Sequence, residues 1–240
     1  MAWRMDALDR CRRWLASSLL PWRCQLCGGA GETGMDLCAG CMADMPGNHS
    51  CCARCALPLP ASIAMCGRCL KRAPAWDGAW VPFVYGWPLD SLESRFKFHG
   101  DLACGRSLSS LWERAGPPPR CPDLIVPVPL HRQRLRERGY NQALELARPL
   151  ARLWRIPLRH DVLERSRASA PQTELDAVAR RRNVRRAFVV PEGKVLPRHV
   201  AVIDDVMTTG ATLAECAITL KRAGVQRVDA WALARASKKS

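Results

Sequence analysis

The sequence predicts an α/β protein in two parts: a cysteine-rich, metal-binding N-terminal module, then a mostly parallel sheet with flanking helices. Three observations carry this. Eight cysteines form four Cys-x-x-Cys pairs between residues 24 and 69. An apolar run, Val200-Ala-Val-Ile203, leads through Asp204-Asp205 and a Thr/Gly-rich turn into an amphipathic stretch, Leu213 to Ala223, stopped by Gly224. A second apolar run, Asp123-Leu-Ile-Val-Pro-Val-Pro129, ends in prolines that force a sharp exit. With 240 residues the chain can bury a core and has room for one domain plus a smaller module. The boundaries read from composition are an N-terminal amphipathic helix over 1–22, a zinc module over 23–72 and an α/β domain over 78–236.

At the N-terminus Arg12-Arg13 precede a short apolar run that two serines interrupt, with no small-x-small cleavage site before Cys24, so an amphipathic helix is expected rather than a leader. Nowhere do about 18 apolar residues follow one another, which excludes a membrane-spanning helix and points to the cytoplasm.

The cysteine pairs are Cys24/Cys27, Cys38/Cys41, Cys52/Cys55 and Cys66/Cys69, each beginning 14 residues after the one before. A Cys-x-x-Cys turn lets two thiolates grip one ion, and two such turns complete a tetrahedral four-sulfur site suited to zinc. Two structural Zn²⁺ are expected, since all four positions of each site are filled. Even spacing leaves two arrangements open: sequential pairs, closing short loops at less entropic cost, or interleaved pairs. Gly28 after Cys27 suits a tight knuckle, and the other three pairs lack it. Cys216, outside the pattern, reads as core packing.

Between the module and the second apolar run, Lys71–Asp77 reads as a linker, Trp80–Tyr85 as a strand, Leu89–His99 as a mixed apolar and basic segment, and Leu102–Trp112 as a helix. After Pro129, four arginines within seven residues end at Gly139, and a helix is expected from about Gln142 to Trp154. Ile156–Leu163 suggests a further strand, and Arg227–Ala234 the last one. The formal charge is +15, and residues 131–200 carry most of the excess. Such a belt attracts phosphates, on a small molecule or along single-stranded DNA. A solvated basic surface is the plain alternative.

In an open α/β sheet, ligands bind where strands end at their carboxyl side. The turn after Asp204-Asp205 offers N–H groups and hydroxyls to a phosphate, and the two carboxylates suit ribose hydroxyls or a Mg²⁺. Four apolar residues, an acidic pair and Thr-Thr-Gly-x-Thr closely resemble the 5-phosphoribosyl-1-pyrophosphate (PRPP) motif of type I phosphoribosyltransferases. Over almost the whole chain the sequence further resembles the ComF family, which includes the GntX proteins. The resemblance rests on the cysteine pairs, Val126-Pro-Val-Pro-Leu130, Arg138-Gly-Tyr-Asn-Gln142, Gln172 with Leu175, Arg180-x-x-Asn183, Ala187-Phe188 and Val202 to Thr212.

That resemblance implies a double zinc ribbon joined to a type I phosphoribosyltransferase-like domain, and an association with natural competence and the handling of transforming DNA. It implies Asp204 and Asp205 as the catalytic, ribose-holding pair. Val206, Met207, Thr208, Thr209, Gly210, Ala211 and Thr212 form the corresponding 5-phosphate site. Pro129, Leu130, His131, Arg132, Arg134 and Arg138 are candidates for pyrophosphate, with Mg²⁺ arriving alongside PRPP. Tyr140, Asn141, Gln142, Gln172, Arg180 and Asn183 are candidates for a lid or substrate surface. If the protein is an enzyme, it transfers a phosphoribosyl group to an unidentified acceptor. The alternatives are a non-catalytic nucleotide-sensing or single-stranded-DNA-binding protein, and a zinc-built interaction module for a helicase or other DNA-processing partner.

Overall fold

The computed structural model describes residues 22–61, 63–166 and 187–236. The N-terminal helix expected over 1–22 therefore lies, but for Trp22, outside the described residues, as do Gln172, Arg180 and Asn183. The central sheet is parallel throughout. Its strands are β1 (Gly78–Trp80), β2 (Phe83–Val84), β3 (Leu124–Pro127), β6 (His199–Met207) and β7 (Arg227–Arg235). Both β1 and β2 pair with β7, β7 pairs with β6, and β6 pairs with β3. A separate antiparallel ribbon joins β4 (Glu164–Arg165) to β5 (Phe188–Val189).

Alternation along each strand sorts the core into two layers. Val200, Val202, Val126 and Ala230 face one layer with Leu213, Cys216 and Leu220 from helix α7 (Ala211–Arg222). Ala201, Ile203, Ile125 and Trp231 face the other, against helices α3 (Leu89–Phe98), α4 (Leu102–Arg114) and α6 (Gln142–Leu153). Trp80 anchors this second layer, its ring 5.5 Å from Trp112, 5.2 Å from Trp154 and 5.0 Å from Trp231. Cys216 is fully buried, as its packing role requires.

The zinc module straddles the β1/β2 edge of the sheet. Its first knuckle, containing the short helix α1 (Ala39–Ala43), packs into the layer of α3, α4 and α6. Its second, containing α2 (Gly67–Lys71), packs into the layer of α7. The chain joining them crosses the sheet edge, with Val84 N donating to Pro46 O and Asn48 N to Pro82 O, both at 2.7 Å. That covers an edge otherwise open to pairing. The knuckles repeat one another: Gly28 N bonds Cys24 O and Ala56 N bonds Cys52 O. Gly28 holds φ 75 and Ala56, its counterpart, φ 53, so the second knuckle takes the left-handed turn without glycine.

Two expectations are corrected. Trp80–Tyr85 is two short strands, broken at Val81-Pro82, where proline has no N–H for the ladder. Ile156–Leu163 is not a strand: Leu158 forms a single parallel bridge to Ile125, and the chain then bends where Arg159 pairs with Asp161. The Lys71–Asp77 linker is itself packed down: Trp76 is buried, and Asp77 accepts from Lys221 Nζ and Val228 N, both at 2.8 Å.

Candidate phosphate cleft and zinc centres

The zinc ligands assemble sequentially: Cys24, Cys27, Cys38 and Cys41 form one cluster, and Cys52, Cys55, Cys66 and Cys69 the other. In each, the four sulfurs lie within 4.8 Å of one another. A tetrahedron with Zn–S of about 2.3 Å separates its sulfurs by about 3.8 Å. Cys27 and Cys38 Sγ are 3.8 Å apart, and so are Cys55 and Cys66 Sγ. The donor sets therefore fit Zn²⁺. One thiol in each is already acidic: burial opposes ionisation, but backbone N–H groups outweigh it and lower Cys24 and Cys52 to about 6.

Strand β6 runs four residues beyond the apolar run, so Asp204 and Asp205 lie within it rather than after it. Successive strand residues point to opposite faces, and the two carboxylates meet different surroundings. Asp205 Oδ2 lies 2.8 Å from Lys97 Nζ on α3, and the same ammonium lies 2.9 Å from Glu93 Oε1. Tyr85 donates to the other Glu93 oxygen at 3.4 Å. Burial disfavours charge on Asp205, but Lys97 prevails and holds its carboxyl below the usual range. Burial, reinforced by the charge of Asp205, pushes Asp204 well above that range. The pair is thus one lysine-bound carboxyl held low beside one pushed high by burial.

Beyond Met207 the chain turns through Thr208, Thr209 and Gly210 into α7. Gly210 is its N-cap residue at φ 74, a left-handed conformation, and Thr209 Oγ1 accepts from Ala211 N at 3.3 Å. This turn, the acidic pair and three arginines surround a cleft of about 500 Å³.

The basic run 132–138 forms helix α5 (Arg132–Arg138), which divides its arginines by face. Arg134 and Arg138, one turn apart, are half-buried and line the cleft, whereas Arg132 and Arg136 are exposed. Arg165, from β4, joins them in the lining. Burial and then the charge of Arg134 lower the basicity of Arg165, and burial and then the charge of Arg138 lower that of Arg134, as expected where cations crowd together. At the mouth, Phe98 is exposed, with the Arg138 guanidinium 5.7 Å from its ring centre.

Of the expected phosphate residues, all seven from Val206 to Thr212 line this cleft, as do Asp204 and Asp205. Leu130, Arg134 and Arg138 line it too, but Pro129, His131 and Arg132 do not. His131 instead caps α5, its Nδ1 accepting from Gln133 N at 3.3 Å. Asn141 and Gln142 reach the cleft, although Asn141 is engaged in capping α6 and donating to Val128 O at 3.0 Å. Tyr140 is absent from the lining: its hydroxyl donates to Phe96 O and its ring lies 5.3 Å from Phe96. Sequence reasoning missed Glu93, Lys97, Tyr85 and Phe98. The Glu93/Lys97 spacing of one helical turn was the sole local signal.

Residues 15–70 match the family described as the double zinc ribbon domain. Competence protein F of Haemophilus influenzae is 37% identical over 175 residues, covering 70% of this chain and 76% of that protein. The DNA utilization protein YhgH of Escherichia coli K12 is 36% identical over 218 residues, covering 88% of this chain and 89% of that protein. Competence protein ComFC of Streptococcus pneumoniae is 28% identical over 153 residues, covering 64% and 66%. Two four-cysteine knuckles ahead of a parallel sheet, and relatives of this similarity over most of its length, show that the chain belongs to the ComF family.

Proposed function

We propose that the cleft binds a 5-phosphoribosyl group, as PRPP or ribose 5-phosphate, and that the protein serves natural competence through the handling of incoming DNA. The observation that carries the ligand is the convergence of the Thr208–Thr212 turn, the Asp204/Asp205 pair and Arg134, Arg138 and Arg165 on one cleft. The 5-phosphate would sit on the turn at the start of α7, where N–H groups and the helix dipole favour an anion. The raised Asp204 carboxyl, when protonated, can donate to one ribose hydroxyl while Asp205 accepts from another. The arginines would take the pyrophosphate, and their charge would favour its departure if C1 is attacked. The competence role is supported by the names of the relatives, competence protein F and DNA utilization protein YhgH.

The acidic pair does not fit a resident Mg²⁺. Lys97 already neutralises Asp205, and burial disfavours a charge on Asp204. Magnesium would accompany PRPP on the pyrophosphate oxygens rather than reside on the protein. Titration with PRPP, with and without Mg²⁺, tests the ligand. Saturable binding supports the reading, and no heat or shift under either condition overturns it.

A second reading, non-catalytic binding of single-stranded DNA, is favoured by the charge excess over residues 131–200. It is distinguished by competition: DNA that PRPP does not displace occupies a surface other than the cleft.

A further inference from the structure

We propose that Arg235 and Trp76 are positioning residues that make the shape of the phosphate turn depend on zinc in the second knuckle, and not on zinc in the first. The ligand in the test below rests on the phosphoribosyl reading. The coupling itself does not.

Arg235 ends β7 and is 2% exposed. Its Nε donates to Cys55 O at 3.0 Å. Its Nη1 donates to Met207 O at 2.7 Å, to Ala236 O at 2.8 Å and to Thr208 O. One rigid, planar cation thus joins the carbonyl of a zinc ligand to two carbonyls at the entrance of the phosphate turn. Trp76 makes a second connection. It is 3% exposed and donates from Nε1 to Arg54 O at 2.7 Å. Its ring presses on the other end of the turn, where a Cβ built on Gly210 would lie 2.6 Å from Trp76 Cη2. Arg54 and Cys55 belong to the same Cys52-x-x-Cys55 turn, so both links start from one metal-held loop and close on both ends of Thr208–Gly210.

The first knuckle makes no such link among the described residues. It is held by Arg95, which donates to Gln25 O at 2.6 Å and Gln25 Oε1 at 2.7 Å, and by Arg106 at 3.3 Å from Asp36. These contacts lead to α3 and α4. A Cys-x-x-Cys turn without its ion loses the bond that fixes its carbonyls. The buried guanidinium and indole N–H then lose acceptors that nothing replaces, a cost the turn escapes only by moving. A zinc tetrathiolate also carries two net negative charges, which favour a buried arginine nearby.

The test compares wild type with Cys66→Ser, Cys24→Ser, Arg235→Met and Trp76→Phe. Amide hydrogen exchange is read over Met207–Ala211, with Val200–Ile203 as a folding control. Ribose 5-phosphate affinity is read by calorimetry and zinc by elemental analysis. Cys66→Ser is expected to lose one zinc, speed exchange of the turn at least tenfold and weaken ribose 5-phosphate at least tenfold. Arg235→Met should do the same to the turn with both zincs retained. Cys24→Ser should lose one zinc yet change turn exchange less than threefold. Trp76→Phe, which removes both the N–H and the Cη2 and Cζ3 atoms that press on Gly210, should speed exchange about threefold even if a cysteine variant fails to fold. Turn exchange unchanged in Arg235→Met and Trp76→Phe, or accelerated equally by Cys24→Ser, overturns the proposal. Wild type that shows the exchange pattern but binds no ribose 5-phosphate sinks the phosphoribosyl reading and leaves the coupling standing.

Discussion

Replacing Gly210 by alanine strikes the point where the phosphate turn, α7 and the second knuckle meet. Two costs can be worked from the geometry. At φ 74 an alanine adopts the left-handed conformation, at about 1–2 kcal/mol. Its Cβ would also lie 2.6 Å from Trp76 Cη2 and 3.3 Å from Cζ3, and Trp76 cannot swing away without losing its bond to Arg54 O. Overpacking of this kind costs about 1–3 kcal/mol. The expected loss is therefore about 2–5 kcal/mol, a large share of a domain's stability. Urea denaturation of zinc-loaded protein measures it. A cycle with Trp76→Phe separates the two parts, because phenylalanine removes the clashing atoms and leaves the backbone strain. In that background Gly210→Ala should cost only about 1–2 kcal/mol. A loss below about 0.5 kcal/mol in the wild-type background, within the range of an inconsequential substitution, would refute both the tight contact and the strained turn.

The acidic pair should respond asymmetrically to amidation. The folded state raises the Asp204 pKa, so it retains a proton that the unfolded chain releases, and stability falls as pH climbs from the ordinary carboxylate range through the folded value. Asp204→Asn removes that fall and should match wild type in acid but exceed it at neutral pH, read from melting temperature against pH. Asp205 contributes the other way: its stabilisation is present above the ordinary range and lost as pH drops through its lowered value. Asp205→Asn leaves Lys97 underpaired and should cost about 3–5 kcal/mol at neutral pH, the range for breaking a buried pair. Equal effects of the two changes would contradict the opposed surroundings. On α5, Arg134→Ala should weaken PRPP by about 1–3 kcal/mol, the worth of a hydrogen bond to a charged group. Arg132→Ala should leave affinity within error in the same titration, and matched losses would return the run to a diffuse basic surface. Elemental analysis should find two zincs per chain, and a chelator that removes both should lower the melting temperature, whereas iron, or no metal, would contradict the tetrathiolate sites.

Local chemistry was legible in the sequence, and long-range partnership was not. The cysteine spacing announced zinc, yet four evenly spaced pairs carry no information about which share an ion; the repeat of the two knuckles decides it. Val200–Ile203 announced a strand, but its continuation through Asp204 and Asp205 depends on a lysine more than a hundred residues earlier that neutralises one of them. The arginine run suggested an anion site at the end of a strand, with no sign that the run itself would be helical. Once it is helical, the 3.6-residue period turns Arg134 and Arg138 to the cleft and Arg132 away. Tyr140 lay beside Asn141 and Gln142 in sequence, but its ring packs on Phe96 of a distant helix. The seven residues from Val206 to Thr212 reach one cleft together because strand, turn and helix N-terminus are contiguous in the chain.

A crystal structure of the zinc-loaded protein with ribose 5-phosphate tests the central claim most directly. The phosphate is predicted on the N–H groups of the Thr208–Thr212 turn, the ribose hydroxyls beside Asp204 and Asp205, and Arg134, Arg138 and Arg165 around the space beyond C1. A cleft that stays free of ligand at saturating concentration, or a sugar phosphate held on another face of the protein, would contradict it.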